Sequence, residues 1–228
     1  EDAQLREFIA FDPEQNFPSP SFVRQIENQN LHALNIPELT IITPAALQTE
    51  AERVAQLHRE EGLTVAVIEQ EKIFNEFSSG TPDASAYRRL MKMFYDRAEG
   101  NENVRPRYLL LFGDGSYNNR KSMEKLHSPE CNMLLTYQSK TSIDERESFV
   151  IEDYFGFLEN NSGEEIKVDK VCLGIGRFPI SSIKNARLVV DKLYRYVHDK
   201  DFSSWKNNIC IAADDGDEAI HAEQADRG

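Results

Sequence analysis

The sequence predicts an α/β fold, a doubly wound, mostly parallel sheet of about five strands, and three observations predict it. Short apolar runs without period-two alternation recur along the chain, as strands do when helices cover both faces of their sheet. Between them lie stretches whose apolar residues repeat at helical spacing, opened by proline or serine signals and closed by glycine. The order strand, helix, strand then repeats, which is the pattern of parallel sheets.

Taken in order, residues 1–36 carry apolar pieces such as Phe8-Ile9-Ala10-Phe11 broken by Pro13, Pro18 and Pro20, and read as an arm or the end of a preceding domain. The start at Glu1 reads as a cut inside a longer protein. Leu39 to Ile42 is the first strand. Thr43-Pro44 opens a helix as cap and first helical position, Leu47, Ala51, Val54 and Leu57 stripe it, and Gly62 ends it. Thr64 to Ile68 is the second strand. Lys72 to Gly80 reads as a loop or short turn, after which Thr81-Pro82-Asp83 repeats the opening signal for a helix striped by Ala84, Tyr87, Leu90, Met91 and Phe94.

Tyr108 to Phe112 is the third and central strand, leaving the sheet through Gly113 and Gly115, read as positions for positive φ. Residues 114–148 form the one long stretch without an element, and loops of this length are usually functional or mobile. Asn160-Asn161-Ser162-Gly163 reads as the turn of a hairpin. Val171 to Gly176 is the fourth strand, Ser181 or Ser182 caps a helix striped by Ala186, Val190, Leu193, Tyr194 and Val197, and Asn208 to Ala213 is the fifth strand. A last helix begins near Glu218.

Composition narrows the function. Thirty-nine acidic against 26 basic residues give a net charge of −13, which argues against a nucleic-acid partner, because phosphate binding needs clustered Lys and Arg. No run approaches the roughly 18 apolar residues of a membrane span. Cys131, Cys172 and Cys210 have no metal-ligand spacing, and Cys172 and Cys210 fall in predicted buried strands, where cysteine packs as a small hydrophobe.

Ligands of open α/β sheets bind beyond the carboxyl ends of strands. Two acidic loops stand there: Asp114, and the cluster Asp214, Asp215 and Asp217, with Asp153 joining them where its segment runs alongside. Converging carboxylates suit a hard cation such as Ca²⁺, which takes six to eight oxygens at roughly 2.3 to 2.6 Å. Arg177, leaving the neighbouring strand at the same edge, satisfies the same charge without a metal, and Asp also fills such turns by bonding its own backbone. All three readings stand at this point. His221 follows the acid cluster at the same edge. Gly113-Asp114-Gly115-Ser116 lacks the spacing and the following Lys-Ser/Thr of a phosphate loop.

Asn28 to His32, Phe74 to Gly80, Leu109 to Arg120, Asp153 to Gly156, Gly174 to Pro179 and Ala213 to Asp217 together resemble the C25 (gingipain-like) cysteine peptidases, most of all their type IX secretion sortase branch. The resemblance implies a caspase-like catalytic domain of two side-by-side subdomains, with residues 37–228 as the first. It implies a Cys–His dyad whose His lies in a Gly-His-Gly motif, downstream of the matched blocks. This chain contains no Gly-His-Gly, so it is expected to be inactive by itself. By position, Asp114 and Asp215 align with calcium-binding loops, and Glu218 and His221 fall on the substrate side, Glu218 near the position that sets basic-residue preference.

The implied partners are the downstream catalytic subdomain, protein substrates bearing C-terminal sorting domains, and other type IX components. The implied location is the outer-membrane surface of a Bacteroidetes-type bacterium. A noncatalytic module of the same fold that binds Ca²⁺ or a small molecule is the alternative.

Overall fold

Four strands, β1 (Leu39–Thr43), β2 (Val65–Glu69), β3 (Tyr108–Phe112) and β4 (Gly174–Phe178), form one parallel sheet in the order β2-β1-β3-β4 in the computed structural model. The structure describes residues 8–14, 17, 19–22, 24–141, 143–166, 168–201, 203–214 and 216–227. Among the described residues six α-helices accompany the strands: α1 (Gln48–Glu60), α2 (Gln70–Phe77), α3 (Ser85–Arg97), α4 (Asn119–Ser122), α5 (Ile183–His198) and α6 (Ile220–Asp226).

The apolar runs work as expected of a sheet covered on both faces. Side chains alternate across a strand, so Leu39 and Ile41 of β1 and Phe112 of β3 pack on Ala51, Val54 and Ala55 of α1 and Ala186 and Val190 of α5. Ile42, Leu109 and Leu111 point the other way, onto Ile73 and Phe74 of α2 and Tyr87, Leu90, Met91 and Phe94 of α3. Each fully buried large apolar side chain contributes about 1.5–3 kcal/mol. β3 is an interior strand between β1 and β4, with Leu111 level with Ile42 and Arg177.

The expected fifth strand does not form: residues 208–213 adopt no strand pairing, and Ile209 and Ile211 are exposed. Topology supplies the reason. Parallel crossovers are right-handed in about 98% of cases. With β1–α1–β2 right-handed, a connection over the α1 face moves from β1 towards β2. α5 packs on that same face, so a right-handed continuation from β4 leads back towards β3, and that position is filled. A strand on the outer edge of β4 would need the rare left-handed connection.

Three further expectations change. The predicted loop at 72–80 is mostly α2, which follows β2 without a break; Asn75, Ser78 and Gly80 suggested a loop, but Ile73 and Phe74 are fully buried and hold the helix to the sheet. Thr81 does not cap α3: the helix starts at Ser85 after Ala84, and Asp83 Oδ1 accepts the Ser85 N–H at 2.8 Å. The turn at 160–163 closes no hairpin: no strand flanks it among the described residues, and α3 holds it through Arg88, which donates to the Phe157 and Ser162 carbonyls at 2.7 and 2.6 Å. Ser182 caps α5 by accepting the Asn185 N–H at 3.2 Å.

The chain divides into two units, residues 1–30 and 31–228. The described part of the first holds no helix or strand and exposes Phe8, Ile9 and Phe22. The second opens with the turn Leu31–Ala33, whose Leu31 N–H donates to both carboxylate oxygens of Glu76 at 2.7 and 2.9 Å. The last residues of the expected arm thus belong to the sheet-bearing unit.

Candidate functional site

At the carboxyl edge of the sheet, β3 runs on past Phe112 while still bonded to its neighbour. Gly113 N–H donates to the Phe178 carbonyl at 3.1 Å, Asp114 N–H to Ile180 at 3.0 Å, and Leu134 N–H returns to the Asp114 carbonyl at 2.8 Å. The Asp114 carboxylate accepts its neighbour Gly115 N–H at 2.8 Å. The two glycines serve close approach, not the positive φ expected of them, since neither has a left-handed backbone. A Cβ on Gly113 would meet Pro44 at 3.0 Å and Leu134 at 3.1 Å, and one on Gly115 would meet the Thr136 methyl at 2.5 Å.

Arg177 lies under this turn. Its Nε and Nη2 reach the Glu152 carboxylate at 2.7 and 3.1 Å, Nη1 donates to the Gly113 carbonyl and Nη2 to Leu135, each at 3.0 Å. The guanidinium side chain is 12% exposed. Such bidentate, charge-assisted bonds are the strong class, and here one side chain ties the end of β3, the long loop and the segment before Asp153. Among the described residues the carboxylate partner of Arg177 is Glu152, not Asp214. Glu152 escaped the sequence reading because a carboxylate 25 residues away in a featureless loop leaves no local signal.

The long loop is pinned elsewhere too. Gln70 donates to the Met133 carbonyl at 2.7 Å and accepts from the Tyr87 hydroxyl at 2.6 Å, which in turn accepts the Leu135 N–H at 3.3 Å. Burial pushes the Tyr87 hydroxyl far above its ordinary range, so it stays a neutral donor. Asn119 accepts the Thr136 N–H and donates to its carbonyl at 3.0 and 2.8 Å, and Tyr137 stacks on Tyr154 with ring centroids 3.5 Å apart. With Leu126, Cys131, Leu134 and Leu135 buried beneath, the stretch from 114 to 152 is a fitted cover on the sheet edge.

Asp114 is half-buried at the end of β3, Asp153 is exposed in the turn Asp153–Gly156, and Asp214 is exposed. Among the described residues no three His, Cys, Asp or Glu side chains form a group able to hold a metal ion. Asp215 and the Asp217 side chain lie outside the described residues. Asp214 and His221 line one shallow cleft of about 420 Å³ with Ile211 and Ala225. Glu218 is exposed and stands in the left-handed region at φ 60°, followed by Ala219 at φ 62°, which sets the bend into α6.

The buried Cys131 is not poised as a nucleophile. Desolvation raises the buried Cys131 thiol above its ordinary range, and its sulfur takes a hydrogen bond from Gln70 Nε2 at 3.3 Å. Cys172 is half-buried just before β4, its thiol towards the Lys170 carbonyl at 3.7 Å. Cys210 is exposed, so it is not the packed residue the sequence suggested. Reactive cysteines are lowered in pKa by a cation or a helix start, and Cys131 moves the opposite way.

The structure of dimeric latent PorU from Porphyromonas gingivalis is similar to this one, with 42% sequence identity, a TM-score of 0.70 and 82% of this chain covered. The chain spans 18% of that protein's length. No curated protein matches the sequence. The family model for peptidase family C25 matches residues 32–227, nearly the whole sheet-bearing unit, and the chain belongs to that family.

Proposed function

We propose that this chain is the first subdomain of a C25 cysteine endopeptidase that acts as a sortase, removing C-terminal sorting domains from type IX secretion cargo at the outer-membrane surface. The observation that carries the reading is the likeness to PorU, at 42% identity over most of this chain. In it, the braced edge at Asp114, Arg177 and Glu152 is a rigid wall, and the apolar, exposed 208–213 segment opens the partner subdomain that supplies the dyad. Among the described residues no helix is long and apolar enough to cross a membrane.

The 228-residue chain alone is then expected not to cleave a cargo C-terminal segment, whereas the same residues joined to a Gly-His-Gly-bearing subdomain are expected to do so. Mass spectrometry of a purified cargo tail after incubation checks both. Cleavage by this chain alone, abolished by Cys210→Ala or Cys131→Ala, would overturn the assignment of the dyad to another part of the protein.

Calcium is proposed for the acidic turn at 214–217, where Asp215 and Asp217 would join Asp214. Asp114 has its carboxylate turned to its own backbone and is a bracing residue first. A ligand that binds only the folded state raises the melting temperature, so Ca²⁺ is expected to raise it in the wild-type chain and not in Asp215→Asn. An unchanged melting temperature in both would remove the ion.

A further inference from the structure

The last turns of α5 and the turn after it build a notch of about 820 Å³ lined by Lys192, Arg195, Tyr196, His198, Asp199 and Trp205. Lys192 and Arg195 are three residues apart on one helix, so they stand on one face. Tyr196 and Trp205 meet edge to face, centroids 6.2 Å apart, yet remain 53% and 49% exposed. Lys206 Nζ sits 5.4 and 5.5 Å from the two rings.

The acids beside this notch already have partners. Asp191 Oδ1 takes Arg53 Nη2 at 2.7 Å, and Asp199 Oδ2 takes Lys206 Nζ at 3.3 Å. Asp201 accepts the Trp205 indole N–H at 2.9 Å. Two cations are left over: Lys192 has no ion-pair partner among the described residues, and Arg195 gives only its Nε, to the Asp191 carbonyl at 3.3 Å. Cations in the last turn of a helix complement its dipole, which accounts for their presence on α5. It does not account for two half-exposed aromatic rings fixed beside them in a chain whose net charge is −13.

We propose that this notch docks an acidic protein segment, whose carboxylates meet Lys192 and Arg195 and whose apolar side chain lies on Tyr196 and Trp205. Trp, Tyr and Arg are the residues that dominate binding energy at protein interfaces. Charge complementarity selects an acidic partner, because among the described residues the unpaired charges lining the notch are positive.

Trp205 is the only tryptophan of the chain, so its fluorescence reports on this notch directly. The 228-residue chain is titrated with a short peptide of Glu and Asp around one central Leu, with the same peptide in Gln and Asn, and with sodium phosphate. The acidic peptide is expected to give a saturable change in Trp205 emission. K192E/R195E is expected to weaken it by about tenfold or more, with far-UV circular dichroism unchanged. Y196A keeps the reporter and the charges, and is expected to weaken binding several-fold through loss of the apolar contact.

No saturable change with the acidic peptide overturns the proposal. So does equal binding of the Gln/Asn peptide, an undiminished response in both variants, or the same change from phosphate at equal concentration, which would mark a simple anion site.

Discussion

Tyr108 to Gly115 and Asn208 to Gly216 are the same phrase written twice, an apolar run followed by acid and glycine, and the molecule treats them in opposite ways. The first is an interior strand with Leu109, Leu111 and Phe112 buried and its acid held to the backbone. The second joins no strand among the described residues, and its Ile209 is 90% exposed. Local composition decides whether a segment can be a strand. Where the preceding helix delivers it decides whether it becomes one here: α3 arrives from the face that leads on to β3, whereas α5 lies on the α1 face, from which a right-handed turn leads back to the filled position of β3.

The largest test of this contrast is a matched pair of truncations. Leu111→Ala removes a fully buried side chain and is expected to cost about 2–5 kcal/mol. Ile211→Ala, at 58% exposure, is expected to stay within about 0.5 kcal/mol. Urea unfolding followed by circular dichroism reads both. A comparable loss at Ile211 would mean that the second segment is packed in solution and would break the contrast.

The paired glycines give the next largest effect. In Gly115→Ala the new methyl would stand 2.5 Å from the Thr136 methyl and 3.2 Å from Arg177 Nη1, an overpacking worth about 1–3 kcal/mol. In Gly216→Ala the nearest atom is Asp214 Oδ1 at 3.7 Å, an ordinary contact, so stability is expected to hold. Hydrogen exchange adds a local readout. Gly115→Ala should speed exchange of Leu134 and Thr136 amides, and unchanged exchange there would show that Arg177 does not hold the turn in place.

Much of the sheet was legible because strands β1 to β3 are apolar on both faces, a pattern that few other structures share. Arg177 was rightly placed at the strand end, yet its partner was not, since pairing across a long loop is a property of the fold and not of spacing. α2 was lost for the converse reason: its Asn75 and the Ser78 that follows it look like loop residues, and the burial of Ile73 and Phe74 explains the helix. The glycines at 113 and 115 were noticed for the wrong property. Close approach of Thr136 and Leu134 leaves no trace in the local sequence, because both lie some twenty residues on. For the acids, charge crowding at 214–217 suggested a metal, and of the carboxylates described Asp114 turns to its own backbone while Asp153 and Asp214 are exposed.

The smallest effect concerns what order the second region keeps without a sheet. Asp201 is held down to about 2, first by the Trp205 indole N–H and then by the Ser203 hydroxyl and N–H. For a carboxylate whose folded pKa lies below its ordinary 3.8, the stabilisation is complete above that ordinary value and is lost as pH falls through the folded one. The turn from Asp199 to Lys206 should therefore keep its Trp205 emission on acidification until about pH 3 and change with a midpoint near about pH 2. Asp201→Asn should remove that transition, because Asn has no carboxylate to protonate. A midpoint at the ordinary carboxyl value in the wild-type chain would show that the indole bond does not persist in solution, and the region would then lack even this local anchor.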